Sequence, residues 1–153
     1  MTPEVIEDFQ ACVEFIGGYL TEKKSRSKAR EFHVNGIWKI RKEWGLYGTA
    51  KEKRVPDRFY SLPIHQIYQF LNAFWSCDGC VRNRNLEVTL ANEGLIDDLR
   101  FMLLRCGVLA RKRGRGTSFH YRGEKKFSYA WVLNIQDRPN CRRFLDLVGT
   151  VRG

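Results

Sequence analysis

The run from Ile64 to Gly79 constrains this chain more than any other, because an apolar helical stretch ends there on a carboxylate followed at once by glycine. Ile64, Ile67, Tyr68, Phe70, Leu71, Phe74 and Trp75 recur at spacings of three and four, which gathers them on one helix face. Pro63 suits the first turn, and Gly79 releases the chain just after Asp78. A buried helix thus carries Asp78 at its end. Ala73 interrupts the apolar face with a small residue. Near the N-terminus, Phe15-Ile16-Gly17-Gly18-Tyr19-Leu20-Thr21-Glu22 repeats the design, and the pattern predicts a first helix over 4–22 that ends on Glu22. Gly17, Gly18 and Ala73 are then the positions at which the two helices would cross closely enough to bring Glu22 and Asp78 together.

Beyond Gly79 the hydrophobic period changes to two. Leu86, Val88 and Leu90 alternate with Glu87 and Thr89 as in a half-buried strand, and residues 80–84 can pair with it as a hairpin. A helix is expected from Asn92 to Cys106, stopped by Gly107, then strands over 108–115 and 127–135, with 119–122 extending the second hairpin. A last helix covers 139–148. Helix, two strands, helix, two strands, helix over about 64–148 is an α+β unit whose antiparallel sheet has one face covered and the other free. The first sixty residues hold the predicted first helix, a basic connector over 23–30 and a short helix stopped by Gly45, so they form a reduced helical first half (1–60) beside a complete second half (61–153).

Charge points to the partner. The 27 basic residues outnumber the 17 acidic ones by ten, which for such a chain suggests nucleic acid before an acidic membrane surface. No apolar run reaches transmembrane length, and the acidic N-terminus lacks a signal-peptide pattern, so an intracellular protein of the cytoplasm or nucleoid with no membrane partner is expected. Alternation sets Arg111, Arg113 and Arg115 on one side of their strand and Arg82 with Arg84 on one side of the earlier hairpin, with Thr89 able to point the same way and Arg122 at the far end of the second hairpin. Such a stripe tracks phosphates, while Arg, Thr, Asn and Gln tips read bases. A merely solvated sheet face is the bland alternative. The five cysteines are odd in number and mostly lie in apolar patterns, which argues against a disulfide framework, and the Cys77/Cys80 pair lacks the second pair that zinc needs.

Leu71 to Gly79 resembles the nine-residue helix motif of the LAGLIDADG homing endonucleases, especially the two-motif kind carried by inteins, with Asp78 on the metal-binding acid. Phe15 to Lys23 looks like a degenerate first copy with Glu22 on its acid, although Lys23 stands where glycine is usual. Residues 53–63 resemble the block that precedes the second motif, whose lysine three residues before the proline is an active-site residue; that lysine is Lys53. The resemblance implies an α+β fold, double-stranded DNA as partner, and phosphodiester hydrolysis by Mg²⁺ held between Glu22 and Asp78, with Lys53 stabilising developing charge. Lys125 or Lys126 could be the counterpart of Lys53 in the complete half. Gly94-Leu95-Ile96-Asp97-Asp98 spells part of the family name, but no glycine follows its acids, and it reads as an ordinary helix start. The chain begins Met1-Thr2-Pro3 and ends Val151-Arg152-Gly153, without the residues of splicing junctions, so an isolated or trimmed endonuclease domain or a free-standing descendant is expected, as monomer or homodimer. A non-catalytic DNA-binding module of the same fold is the alternative, and a scaffold domain without a DNA role is a third reading.

Overall fold

In the computed structural model, which describes residues 3–23, 30–82 and 85–150, the chain divides between Tyr47 and Gly48 into two units. The first consists of helix α1 (Pro3–Phe15), strands β1 (Tyr19–Lys23) and β2 (Glu31–Asn35), and helix α2 (Trp38–Glu43). The helix expected over 4–22 therefore stops seven residues early. Gly17 adopts φ +77°, a left-handed conformation that costs glycine little and ends the helix. The N–H groups of Gly17 and Gly18 donate to the carbonyls of Glu14 and Val13, both at 2.9 Å, and close the last turn. The chain leaves as a strand, pairing Tyr19 with Asn35 through to Lys23 with Glu31. Gly17 and Gly18 are thus not small positions within a helix, as the predicted helix crossing required. A Cβ on Gly18 would lie 2.5 Å from Ile37 Cγ2 and 2.7 Å from the Asn35 carbonyl, so its smallness serves packing inside its own unit. Most of the basic connector expected at 23–30 lies outside the described residues.

The second unit opens with an irregular strap that ends in a 3-10 turn, Asp57–Ser61, and continues through α3 (Ile64–Asp78), β3 (Gly79–Arg82), β4 (Asn85–Leu90), α4 (Glu93–Arg105), β5 (Arg111–Tyr121), β6 (Glu124–Ile135) and α5 (Arg138–Leu147). This is the element order expected from the sequence. The sheet runs β3-β4-β6-β5, every pair antiparallel. β5 and β6 form one long hairpin whose turn, Arg122-Gly123, has φ values of 52° and 81°, the positive pair of a tight two-residue connection. Among the described residues no helix is long and apolar enough to cross a membrane.

Three helices cover one face of this sheet. Ile67, Leu71 and Trp75 of α3 pack with Ile96, Leu99, Met102 and Leu103 of α4, Phe144 of α5, and Leu86, Val88, Leu133 and Ile135 of the sheet. The Trp75 and Phe144 rings meet at 5.0 Å, and each fully buried ring contributes about 1.5–3 kcal/mol of transfer free energy. Gly79 ends α3 in extended rather than left-handed geometry, with φ −81° and ψ 156°. Its role is close approach: a Cβ there would sit 2.5 Å from both the Trp75 carbonyl oxygen and Cδ1 of its ring.

The first unit repeats the order α4, β5, β6, α5 of the second, and the likeness extends to hydrogen bonds. Ninety residues beyond Gly17, Gly107 has φ +69°, its N–H donates to Leu104, and the next N–H, of Val108, donates to Leu103, both at 2.9 Å. Ile6 and Val13 are buried, as are Ile96 and Leu103 at the same offset. The first unit therefore resembles the later part of the second, not its α3, and its described residues include no counterpart of the helix that ends on Asp78.

Candidate nucleic-acid interface

Register decides which side chains share the uncovered sheet face. Leu133 and Ile135 point into the core, so Val132 and Asn134, out of phase with them, lie on the other face, and their partners follow. Arg111 lies opposite Asn134, Arg113 opposite Val132 and Arg115 opposite Ala130, while Glu87 and Thr89 face Asn134 and Val132 from the other side. Arg111, Arg113 and Arg115 are all exposed. Lys112, one residue out of phase, points the opposite way. Its ammonium lies 2.7 Å from Asp97 and 2.8 Å from Glu93 on α4, and 4.7 Å from the Trp131 ring centroid. Partial burial works against its charge, but the two carboxylates outweigh burial and raise its pKa. Arg82 ends β3 opposite Asn85, and Arg84 lies outside the described residues. Arg122 sits at the exposed tip of the β5–β6 hairpin.

Beneath the arginines runs a polar floor. Asn134, only 3 % exposed, donates its amide to Asn85 Oδ1 and, at 3.2 Å, to Glu87 Oε2. Glu87 lies 3.6 Å from the Arg113 guanidinium, which links a buried amide to an exposed cation. The Asn134 amide oxygen has no partner among the described residues.

Of the acids expected to hold metal, Asp78 stands exposed at the C-terminal end of α3. Ala73 is exposed on the same helix. Glu22 lies in β1, not at a helix end, and Arg30 grips it with two parallel bonds, Nε to Oε1 at 2.8 Å and Nη2 to Oε2 at 2.9 Å. The Arg30 bond holds the Glu22 carboxyl below its usual range. Cys77 and Cys80 are exposed free thiols, and the described residues contain no cluster of three His, Cys, Asp or Glu side chains.

Lys53 is exposed on the strap, whose neighbouring residues are pinned to α4. Asn92 caps α4 by accepting from Leu95 N–H at 3.0 Å, and its amide donates to the carbonyls of Lys53 at 2.5 Å and Ala50 at 3.2 Å. Asp98, 3 % exposed, accepts from Arg54 Nε at 2.7 Å, Arg54 Nη2 at 2.5 Å and Val55 N–H at 3.0 Å. Burial pushes its carboxyl upward, but donors from Arg54, Tyr60 and Val55 outweigh burial and the pKa falls. The Tyr60 hydroxyl is pushed up to about 12, by burial first and then by Asp98. These bonds explain why residues 48–60, grouped with the first half by sequence, belong to the second unit. Asn92, Asp98 and Asn134 were not singled out from the sequence. The available signals were an Asn immediately before a helix and an acid between the core residues Ile96 and Leu99.

A sequence model of the LAGLIDADG-like domain matches residues 65–149. Two proteins of Methanocaldococcus jannaschii contain similar stretches. The replication factor C small subunit is 26% identical over 133 residues, covering 85% of this chain, and the ATP-dependent DNA helicase Hel308 is 27% identical over 115 residues, covering 71%. The chain spans only 7% and 10% of these relatives' lengths. Among solved structures, mesophilic variants of the homing endonuclease I-DmoI superpose with a TM-score of 0.65 at 14% identity, covering 97% of this chain and 75% of theirs. I-DmoI in complex with DNA and Mn gives 0.62 at 13% identity, over 97% and 73%. Full-length DUF199/WhiA from Thermatoga maritima gives 0.51 at 14% identity, over 93% and 43%. At these identities the structural likenesses establish the fold alone.

Proposed function

The chain belongs to the LAGLIDADG-like domain family, and on that premise we propose that it is a double-stranded DNA-binding domain of the homing-endonuclease type, whose uncovered sheet face docks in the major groove. The observation that carries this reading is the common face of Arg111, Arg113 and Arg115, flanked by Thr89 and Glu87 and supported from below by Asn134. Helices cover the opposite face, so this one presents cations for phosphates and polar tips for base edges. I-DmoI in complex with DNA and Mn has the same fold, which supports the choice of DNA as partner. The similar stretches in a replication factor and a helicase, each far longer than this chain, support reading it as a module of the intein-borne kind.

Of the two acids of the hydrolytic reading, only Asp78 stands at the end of a motif helix. Mg²⁺ takes hard oxygen ligands, and Asp78 at its helix end is a suitable one, with Lys53 a cation for the phosphate. A single carboxylate holds the ion only together with phosphate oxygens and waters. Glu22 belongs to a hairpin and is occupied by Arg30, so it does not fit the second ligand position. A paired-acid site would thus need a second acid other than Glu22, and duplex binding is the activity this reading rests on. Fluorescence anisotropy with a duplex, titrated with salt, tests the interface. Replacing Arg111, Arg113 and Arg115 with alanine is expected to flatten the log K against log salt slope by roughly 2.7, about 0.9 for each phosphate no longer neutralised. An unchanged slope removes this face from the reading. Plasmid incubation with Mg²⁺ or with chelator is expected to give binding without nicking. Nicking that disappears in both Asp78→Asn and Glu22→Gln would restore the two-acid site.

A further inference from the structure

The described part of the second unit buries three polar side chains, and two of them, Asn92 and Asp98, are spent on the strap that carries Lys53. Burying such groups is costly unless they are bonded, so their partners reveal what they hold. Capping α4 requires only an acceptor on Leu95 N–H, which serine or aspartate would supply equally well. Asparagine adds an amide, and both of its bonds go to the strap, at Ala50 and Lys53. Asp98 fixes the two residues that follow, through the Arg54 guanidinium and the Val55 N–H. Lys53 N–H is itself bonded to the Thr49 carbonyl at 3.2 Å. Its backbone is therefore held on every side, while its side chain is exposed and forms no ion pair with a described residue.

We propose that Asn92 and Asp98 are positioning residues, holding the strap so that the Lys53 ammonium meets a phosphate of bound duplex DNA. The proposal rests on the DNA-binding reading above. A loop fixed before binding loses less freedom when its cation engages, and one immobilised side chain is worth about 3- to 10-fold in affinity. Arg54 cannot take this part, because Asp98 already occupies its guanidinium.

The test is a double-mutant cycle on the full chain, read as duplex affinity and salt slope in chelator, where cleavage plays no part. Lys53→Ala is expected to flatten the slope by about 0.9. Asn92→Ser keeps an acceptor for the α4 cap and removes both strap bonds. It is expected to weaken binding about 3- to 10-fold with Lys53 present and to have no effect on Lys53→Ala. Asp98→Asn, close in volume, supplies a second route should Asn92→Ser melt early. Equal loss from Asn92→Ser in both backgrounds overturns positioning in favour of a purely structural role. No loss in either background overturns it as well. If Lys53→Ala binds like the parent while the triple arginine variant is weakened, the Lys53 proposal falls and the interface stands. If the parent protein binds no duplex, both fall together.

Discussion

Removing the Arg54 guanidinium isolates the energetics of the strap. In Arg54→Ala the Asp98 carboxylate, 3 % exposed in the parent, keeps only the Val55 N–H and the Tyr60 hydroxyl of its donors. Hydrogen bonds to a charged group contribute about 1.5–3 kcal/mol each, and two disappear. The Arg54 side chain is 60% exposed, however, so screening reduces its share and water can replace it from the solvent side. A net loss of about 2 kcal/mol is expected, below the roughly 3–5 kcal/mol seen on stranding a fully buried charge. Urea unfolding of parent and variant measures it. The pH dependence has a definite sign: Asp98's pKa is lower in the folded protein, so its contribution is fully present above the unfolded value near 3.9 and is lost as pH falls through the lower, folded value. Arg54→Ala removes a lowering donor while burial remains, so the folded pKa rises and the gap between the proteins closes as acid protonates Asp98 in both. A gap below about 0.5 kcal/mol at neutral pH, or one that persists unchanged to about pH 3, would refute the account of a stabilising charge pair.

Two further outcomes follow from geometry. Gly79→Ala would thrust a methyl against the Trp75 carbonyl and ring, neither of which can retreat from the core, and should cost about 1–3 kcal/mol in thermal or urea melts. Glu22→Gln should leave duplex affinity and salt slope unchanged, since the carboxylate faces Arg30 within its hairpin; altered binding in the anisotropy assay would return Glu22 to the interface.

The second unit was legible because its signals are long and regular. The spacing of Ile67, Leu71 and Trp75 marks α3, and the alternation of Leu86, Val88 and Leu90 marks β4. Alternation also separated Arg111, Arg113 and Arg115 from Lys112, since a strand has only two faces. The first unit was misread at Gly17-Gly18. A glycine pair between apolar residues suits both a close helix crossing and a helix stop, and five residues of β1 are too few for period to decide. Comparison with Cys106-Gly107-Val108, where the same stop recurs, was the clue available in the sequence. Asp98 was hidden for another reason. Arg54 and Val55 stand more than forty residues earlier, and a buried acid in a helix says only that some donor exists.

The strap also sets where the second unit can be cut. The stretch recognised as the family domain begins at residue 65, yet a truncation placed there would remove Arg54, Val55 and Tyr60 and strand the Asp98 carboxylate among core side chains. The compact unit begins at Gly48, upstream of all three donors. A fragment of the second unit meant to fold alone therefore has to begin upstream of Arg54, however much the strap looks like a linker.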